Sequence, residues 1–227
     1  METGKNGKYF KYAIGEVALV MIGILLALQV NNWNETRKLQ GQELNLAKQL
    51  LEDAKVDSTF FESRVFFQKQ RDTLLNNLLS LYKQIDVDSL LKLKVSDDPF
   101  FFRLAYQSNL INNNPDAYKN ISDEPIKSKL RDYSAKYEYV AISIELNNRI
   151  CEEYGVPLEI KYYTERAALP EKPTYNDFLF AVKSKETVAA FDIFKKYGIN
   201  YLIQVQNLLK VNQDLKILLE TYIDNNE

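Results

Sequence analysis

A run of apolar residues near the N-terminus, Val17 to Val30 (VALVMIGILLALQV), constrains this chain more than any other feature. Aromatic residues flank it, with Tyr9, Phe10 and Tyr12 before it and Trp33 after it. Tyr12 and Trp33 are 21 residues apart, about 32 Å along a helix that rises roughly 1.5 Å per residue. That length matches a hydrocarbon core of about 30 Å, and aromatic rings favour the two membrane interfaces. The pattern therefore predicts a membrane helix over residues 12–33, anchored by Tyr9, Tyr12 and Trp33. A cleaved signal peptide is one rival, because Lys5, Lys8 and Lys11 precede a short apolar stretch. Cleavage needs small residues three and one before the cut, and the residues after Leu28 (Gln29, Val30, Asn31, Asn32) supply no such pair. A buried helix of a soluble protein is the other rival. The apolar core is short for a span, and extending it to Ala13 admits Glu16.

Orientation follows from lysine and arginine alone. Lys5, Lys8, Lys11 and the α-amine precede the run; Arg37, Lys38 and Lys48 follow it. The slight bias predicts a short cytoplasmic tail (residues 1–11) and an extracytoplasmic domain (34–227) in the inner membrane of a cell.

The part beyond the membrane is long enough to bury a sizeable core. Gly (7) and Pro (6) are scarce, which argues against an all-β fold with its many turns. Without Lys5, Lys8, Lys11, Glu2 and Glu16, 26 basic and 29 acidic residues remain. No basic face is implied, and nucleic acid is not an expected partner. The chain has no histidine, which removes Ser–His and Cys–His nucleophile pairs and the usual imidazole metal ligands. Cys151 is the single cysteine, so no internal disulfide forms. It reads as a small buried residue, pairing between chains being the alternative.

The sequence predicts an all-α chain: one N-terminal transmembrane helix, then an antiparallel bundle of long helices. From Gln42 to Asp98 there is no Gly or Pro, and apolar residues recur at helical spacing, predicting a helix over about 34–84 that continues the membrane helix. Short helices are expected around Leu90 to Lys94 and Pro99 to Ile111, with a turn at Asn112 to Pro115. Asp123 and Pro125 mark the start of a second long helix. Gly155 and Pro157 mark its stop. A loop from Val156 to Pro173 should follow, with Leu158, Ile160 and Tyr162 alternating like an extended piece. Thr174 and Asp177 resemble a capping box. A last helix is expected over about 184–223, with Gly198 as a kink or break costing about 1 kcal/mol relative to Ala. In this arrangement the first helix leaves the membrane, the second returns and the third leaves again, which puts the C-terminus far from the bilayer.

Few residues suggest chemistry. A carboxylate on a membrane helix, here Glu16, is by default a functional candidate. It also lies near the interface in the helix's first turns, where the dipole favours negative charge. Gly15, Leu19, Gly23 and Ala27 share one row, and Gly23 and Ala27 form a small-xxx-small pair that admits a second helix. Glu16, Gly15, Gly23 and Ala27 are thus the candidate contacts for a partner helix. Asp97–Asp98 and Glu152–Glu153 read as solvated surface, since adjacent helix residues point apart. The aromatic group of Phe100 to Phe102 with Tyr106 reads as core ahead of ligand groove. Asn34-Glu-Thr and Asn120-Ile-Ser match the glycosylation tripeptide, which matters only in a eukaryotic secretory context. No catalytic, cofactor-binding or metal-ligating set stands out, and the chain does not read as an enzyme.

The stretch from Gly7 to Lys38, GKYFKYAIGEVALVMIGILLALQVNNWNETRK, resembles the opening of a family of uncharacterised single-pass membrane proteins of Gram-negative bacteria. The shared pieces are Tyr12 to Glu16, Gly23 to Leu28 and Asn31 to Glu35. Beyond them the likeness is limited to helical character and a segment like Ile126 to Tyr133. The resemblance implies a single-pass bacterial protein with a helical extracytoplasmic domain and supplies no activity. Two functional classes follow. The first is a membrane-anchored interaction or scaffold protein whose partners are the bilayer and either a second copy or another membrane protein. The alternative is an extracytoplasmic sensor or small-ligand binder that signals through a partner membrane protein.

Overall fold

The structure, a computed structural model, describes residues 6–82, 103–166 and 184–226, and among these no strand occurs. The first helix, α1, runs from Asn6 to Tyr82 without interruption, about 115 Å at 1.5 Å per residue. It carries the predicted membrane segment and the first bundle helix as one rod. Short helices α2 (Asn109–Asn113) and α3 (Ala117–Asn120) follow, then α4 (Glu124–Ile150). A π-helical turn, Cys151–Gly155, joins α4 to α5 (Val156–Arg166), and α6 spans Lys185–Asn226.

Three long helices bury stripes whose spacing alternates three and four residues, as in coiled coils. On α1 the stripe is Ala47, Leu50, Ala54, Asp57, Phe61, Gln68, Arg71, Leu75 and Leu78, with half-buried Arg64 in line between Phe61 and Gln68. On α4 it runs through Ile126, Leu130, Tyr133 and Val140 to Asn147 and Cys151, and on α6 from Phe194 through Tyr201, Leu208 and Leu215 to Leu219. α6 packs against both of the others. Its Asn212 is fully buried and donates to the Ala54 carbonyl at 3.1 Å, a contact that pins the register of α6 on α1. Gly198 also sits inside this contact. A Cβ there would collide with the Gln68 side-chain amide. The glycine therefore serves close approach of α1 and α6, and α6 is helical through it.

The helix directions correct one expectation. Ser122, Tyr133 and Cys151 meet Glu43, Asp57 and Arg71 in turn, so the start of α4 lies beside Glu43 and α4 runs parallel to α1. α6 opposes both: Phe194 lies by Arg71, Gly198 by Gln68, and Tyr222 by Glu43. The second long helix therefore leaves the foot of the bundle as the first does, and the third returns to it. The end of α6 lies at the foot, not at the far end. The return between α1 and α4 is made by the chain before Glu124. Its described part, residues 103–123, runs down α1 as a strap, from Leu104 at Asn148 to Ser122 at Glu43.

Other expectations change with local chemistry. Asp123 caps α4, accepting from the Ile126 N–H at 2.9 Å, with Pro125 in the first turn, as predicted. Gly155 and Pro157 do not stop the helix. Pro lacks an N–H and its ring clashes with the preceding turn's carbonyl; here the π turn widens the helix just before it. Val156 N–H bonds the Cys151 carbonyl. Residues 156–166, expected as loop, are helical, and so are Leu158 and Ile160. Residues 103–108, expected within a helix from Pro99 to Ile111, are non-helical, and the helix begins after Ser108. The expected turn starts later, since Asn112 and Asn113 still belong to α2. The expected helix at Leu90 to Lys94 and the Thr174–Asp177 capping box lie outside the described residues.

Candidate functional site

The most connected polar centre is Asp57, 1 % exposed and set in the apolar stripe of α1. Its carboxylate accepts from the Ser108 hydroxyl at 2.6 Å, the Tyr133 hydroxyl at 2.7 Å and the Asn109 and Leu110 N–H groups at 2.8 and 3.3 Å. A buried carboxylate is tolerated when hydrogen bonds replace its hydration, and here four donors converge on it. Ser108 also caps α2, accepting from the Ile111 N–H. Burial, then the Asp57 charge, pushes the Tyr133 phenol far above its usual range. Tyr133 therefore stays a neutral donor at any physiological pH. Tyr106 packs between Phe60, Phe61 and Tyr137, with centroids 4.7, 4.1 and 5.5 Å away. Burial raises its phenol as well. It is a core aromatic, as expected; Phe100 to Phe102 lie outside the described residues.

The strap is held at three further points. At its top, Asn148 accepts from the Leu104 N–H at 2.8 Å and donates to the Leu104 carbonyl at 2.7 Å. Lower down, Asp53 accepts from Asn113 and Asn114. At its foot, Glu43 accepts from the Ser122 N–H and hydroxyl at 2.6 and 2.8 Å. Although partial burial works against it, the Ser122 and Tyr222 donors hold the Glu43 carboxyl below its ordinary range. The arrangement is a fastening: carboxylates of α1 grip the strap through neutral donors.

A second buried group lies toward the far end. Arg71, 6 % exposed, approaches Cys151 Sγ at 3.5 Å and stands over the Phe194 ring at 5.5 Å. Cys151 is buried, as its reading as a small core residue expects. Nearby, Gln68 donates to Asp72 at 2.8 Å, and burial raises the Asp72 carboxyl. On α6, burial pushes the Tyr201 phenol up to about 12, the Arg64 charge opposing it.

The residues singled out from the sequence are not brought to this centre. Tyr9 and Tyr12 lie on the first turns of α1. Gly15, Glu16, Gly23, Ala27 and Trp33 are exposed on the same helix, and space is open around Gly15 and Gly23. Glu152 and Glu153 are exposed on the π turn, and Asp97 and Asp98 lie outside the described residues. Among the described residues no group of three or more His, Cys, Asp or Glu is placed to hold a metal ion. Sequence reasoning missed Asp57, Ser108 and Asn148. The signal for Asp57 was present: an acid at position 57 interrupts the apolar spacing of Leu50, Ala54 and Phe61.

Residues 16–95 match a family of unknown function (DUF6090), just over a third of the chain. The match begins at Glu16 and takes in the apolar run, the stem after it and the bundle half of α1. It supports the likeness to an uncharacterised family that the motifs imply. No curated protein and no solved structure matches the chain. By length and composition α1 has one segment able to cross a membrane, and none of that apolar window is buried.

Proposed function

We propose that the protein is a single-pass, membrane-anchored interaction or scaffold protein, with residues 1–11 in the cytoplasm, residues 12–33 in the inner membrane of a Gram-negative bacterium and the helical bundle outside. One observation carries this reading. The apolar window of α1 is wholly exposed, yet the same helix continues unbroken into a half that is packed on one face. Exposed apolar surface of that extent is costly in water and favourable in lipid. The stem between Trp33 and Glu43 is about 15 Å of continuous helix at 1.5 Å per residue, so the bundle stands close above the bilayer. A helical bundle offers surface for partners, and Gly15, Gly23 and Ala27 offer a face for a partner helix.

The test is fractionation. Full-length protein should stay in the membrane fraction after carbonate treatment, with an intact N-terminus by mass spectrometry. A mature chain starting near Gln29 or Asn31 would mean a cleaved signal and refute the anchor. A reporter fused after Glu227 should be active only outside the cytoplasm; the reverse result inverts the topology. For the partner helix, crosslinking in membranes should lose yield with Gly23→Leu, because added bulk keeps backbones apart. If Glu16→Gln alone abolishes a crosslink, Glu16 recognises the partner. Equal yield from wild type and both variants would leave the helix as an anchor only.

A further inference from the structure

The stripes that face one another in the bundle are not apolar throughout. On α1, Arg64, Gln68 and Arg71 follow one another in line, the first half-buried and the other two buried. On α4, Ser143 and Asn147 are buried. They lie between Tyr133, which meets Asp57, and Cys151, which meets Arg71, and so stand beside the polar part of α1. On α6 the same height carries Gly198, against Gln68. Together these residues form a polar belt across all three long helices. Among the described residues it separates two apolar cores. The larger lies on the foot side and runs from Ala47 and Phe61 to Tyr133, Tyr201 and Leu219. The smaller lies at the far end and joins Leu75, Leu78 and Leu79 of α1 to Leu158 of α5 and Phe191 and Phe194 of α6.

The belt holds its helices together weakly. Gln68 donates to Asp72 at 2.8 Å and Ser143 to the Val140 carbonyl at 2.7 Å, so each bond stays within its own helix. The bonds of Asp57, by contrast, cross between elements. Arg71 reaches from α1 to Cys151 Sγ at 3.5 Å, but sulfur is a weak acceptor. Gln68 Oε1 and Arg64 Nε are buried with no hydrogen-bond partner among the described residues. Parting the helices here lets water reach polar groups whose burial is costly. The backbone yields at the same height. The π turn Cys151–Gly155 interrupts the regular ladder after α4, and Gly198 weakens α6 relative to alanine.

We propose that the bundle opens at this belt. The far end, residues 71–82, 151–166 and 185–197, comes apart as one cooperative unit while the foot side stays packed. Proteins open in contiguous units with free energies below that of global unfolding, and a polar layer between two apolar cores is a natural boundary for one. α5 and the start of α6 swing away from α1, with the π turn and Gly198 as the hinges. The move bares Leu75, Leu78, Phe194 and Cys151 and leaves the Asp57 fastening closed. The bundle is thus a switchable tip on a fixed base, and the device does not depend on where α1 meets a membrane.

The test is native-state hydrogen exchange and thiol labelling of the full chain in detergent micelles. Cys151, the single cysteine and 1 % exposed, is a built-in reporter. Amides of residues 72–82, 156–166 and 185–197 should share one opening rate, at least about tenfold faster than residues 47–61 and 201–219. Protection should step across Gln68 and Gly198. Cys151 should react with a thiol reagent at the opening rate of the tip. Leu78→Ala, in the far core, should speed both tip exchange and Cys151 labelling by about tenfold or more and leave exchange at the foot unchanged. Leu50→Ala, in the foot core, should leave Cys151 labelling unchanged. Protection that falls smoothly toward Tyr82 and Lys185, with no step at the belt, would mean fraying and overturn the proposal. Labelling of Cys151 only at the rate of global unfolding overturns it too. So does equal acceleration of that labelling by Leu50→Ala and Leu78→Ala, since the bundle would then open only as a whole.

Discussion

From Leu19 to Gln42, α1 turns side chains to its surroundings on nearly every face, whereas from Glu43 onward residues at alternating three- and four-residue steps are covered by α6, α4 or the strap. Both halves are helical and both are rich in apolar residues. They differ in how those residues are distributed around the axis. Between Val17 and Val30 they occupy all sides; between Ala47 and Leu78 they keep to one stripe. A helix that is apolar all round suits lipid or a protein interior, and a striped one suits a bundle. One rod thus holds two solutions to the burial of apolar surface, and the polar interruptions differ accordingly. Glu16 sits exposed at the edge of the first half; Asp57 sits buried in the second with its donors assembled around it.

If the halves are independent, each can be broken alone. The largest effect should come from Asp57→Ala in the chain from Lys38 to Glu227, which should itself fold with a strongly helical circular dichroism spectrum. Removing the carboxylate leaves Tyr133, Ser108 and two N–H groups without their buried acceptor, and urea unfolding should show a loss of about 3–5 kcal/mol. The same change in the full chain should leave membrane retention intact. Leu25→Lys should do the reverse. It places a charge near the centre of the apolar run at about 3 kcal/mol, so the membrane fraction should fall while bundle stability is unchanged. If Leu25→Lys destabilises the bundle, the two halves are coupled.

A smaller effect is expected at Gly198. Gly198→Ala should cost about 1–3 kcal/mol, because the new Cβ forces the Gln68 side chain aside. In a Gln68→Ala background that cost should shrink, and a double-mutant cycle measures the difference. An additive result would place the strain elsewhere. The smallest concerns Glu43. Its folded carboxyl titrates below its ordinary value, so its contribution is present above the unfolded pKa and is lost as pH falls through the folded one. Wild type should therefore exceed Glu43→Gln in stability near neutral pH by less than about 1 kcal/mol after screening. The gap should close on acidification below the ordinary carboxylate range. A gap that widens with acid would reverse the sign.

The long helices were legible because their apolar residues recur at fixed steps over many turns, and the start of α4 was legible because Asp123 and Pro125 are a local signal. Gly155 and Pro157 misled because a π turn accommodates the proline, and nothing local distinguishes that from a stop. Gly198 misled for another reason: its meaning is set by Gln68 across the interface. Helix direction was not readable from the stripes, which fit either course. The lengths of the connections did carry it. About forty residues separate α1 from α4, enough to retrace the roughly 60 Å of the bundle at 1.5 Å per residue. Fewer than twenty separate α5 from α6. Asp57 was visible as an acid out of pattern, but its donors lie more than fifty residues away on the strap and more than seventy away on α4.

The central place of α6 bears on how the protein is made. Synthesis runs from the N-terminus, so α1 and α4 emerge with their stripes bare, and the helix that covers both comes last. Until it arrives, the nascent chain exposes two apolar seams joined by a strap it cannot yet close over a finished core. Assembly must therefore wait for the 42 residues of α6. A ribosome stalled before them would leave both seams exposed, an intermediate suited to capture by a chaperone or to degradation.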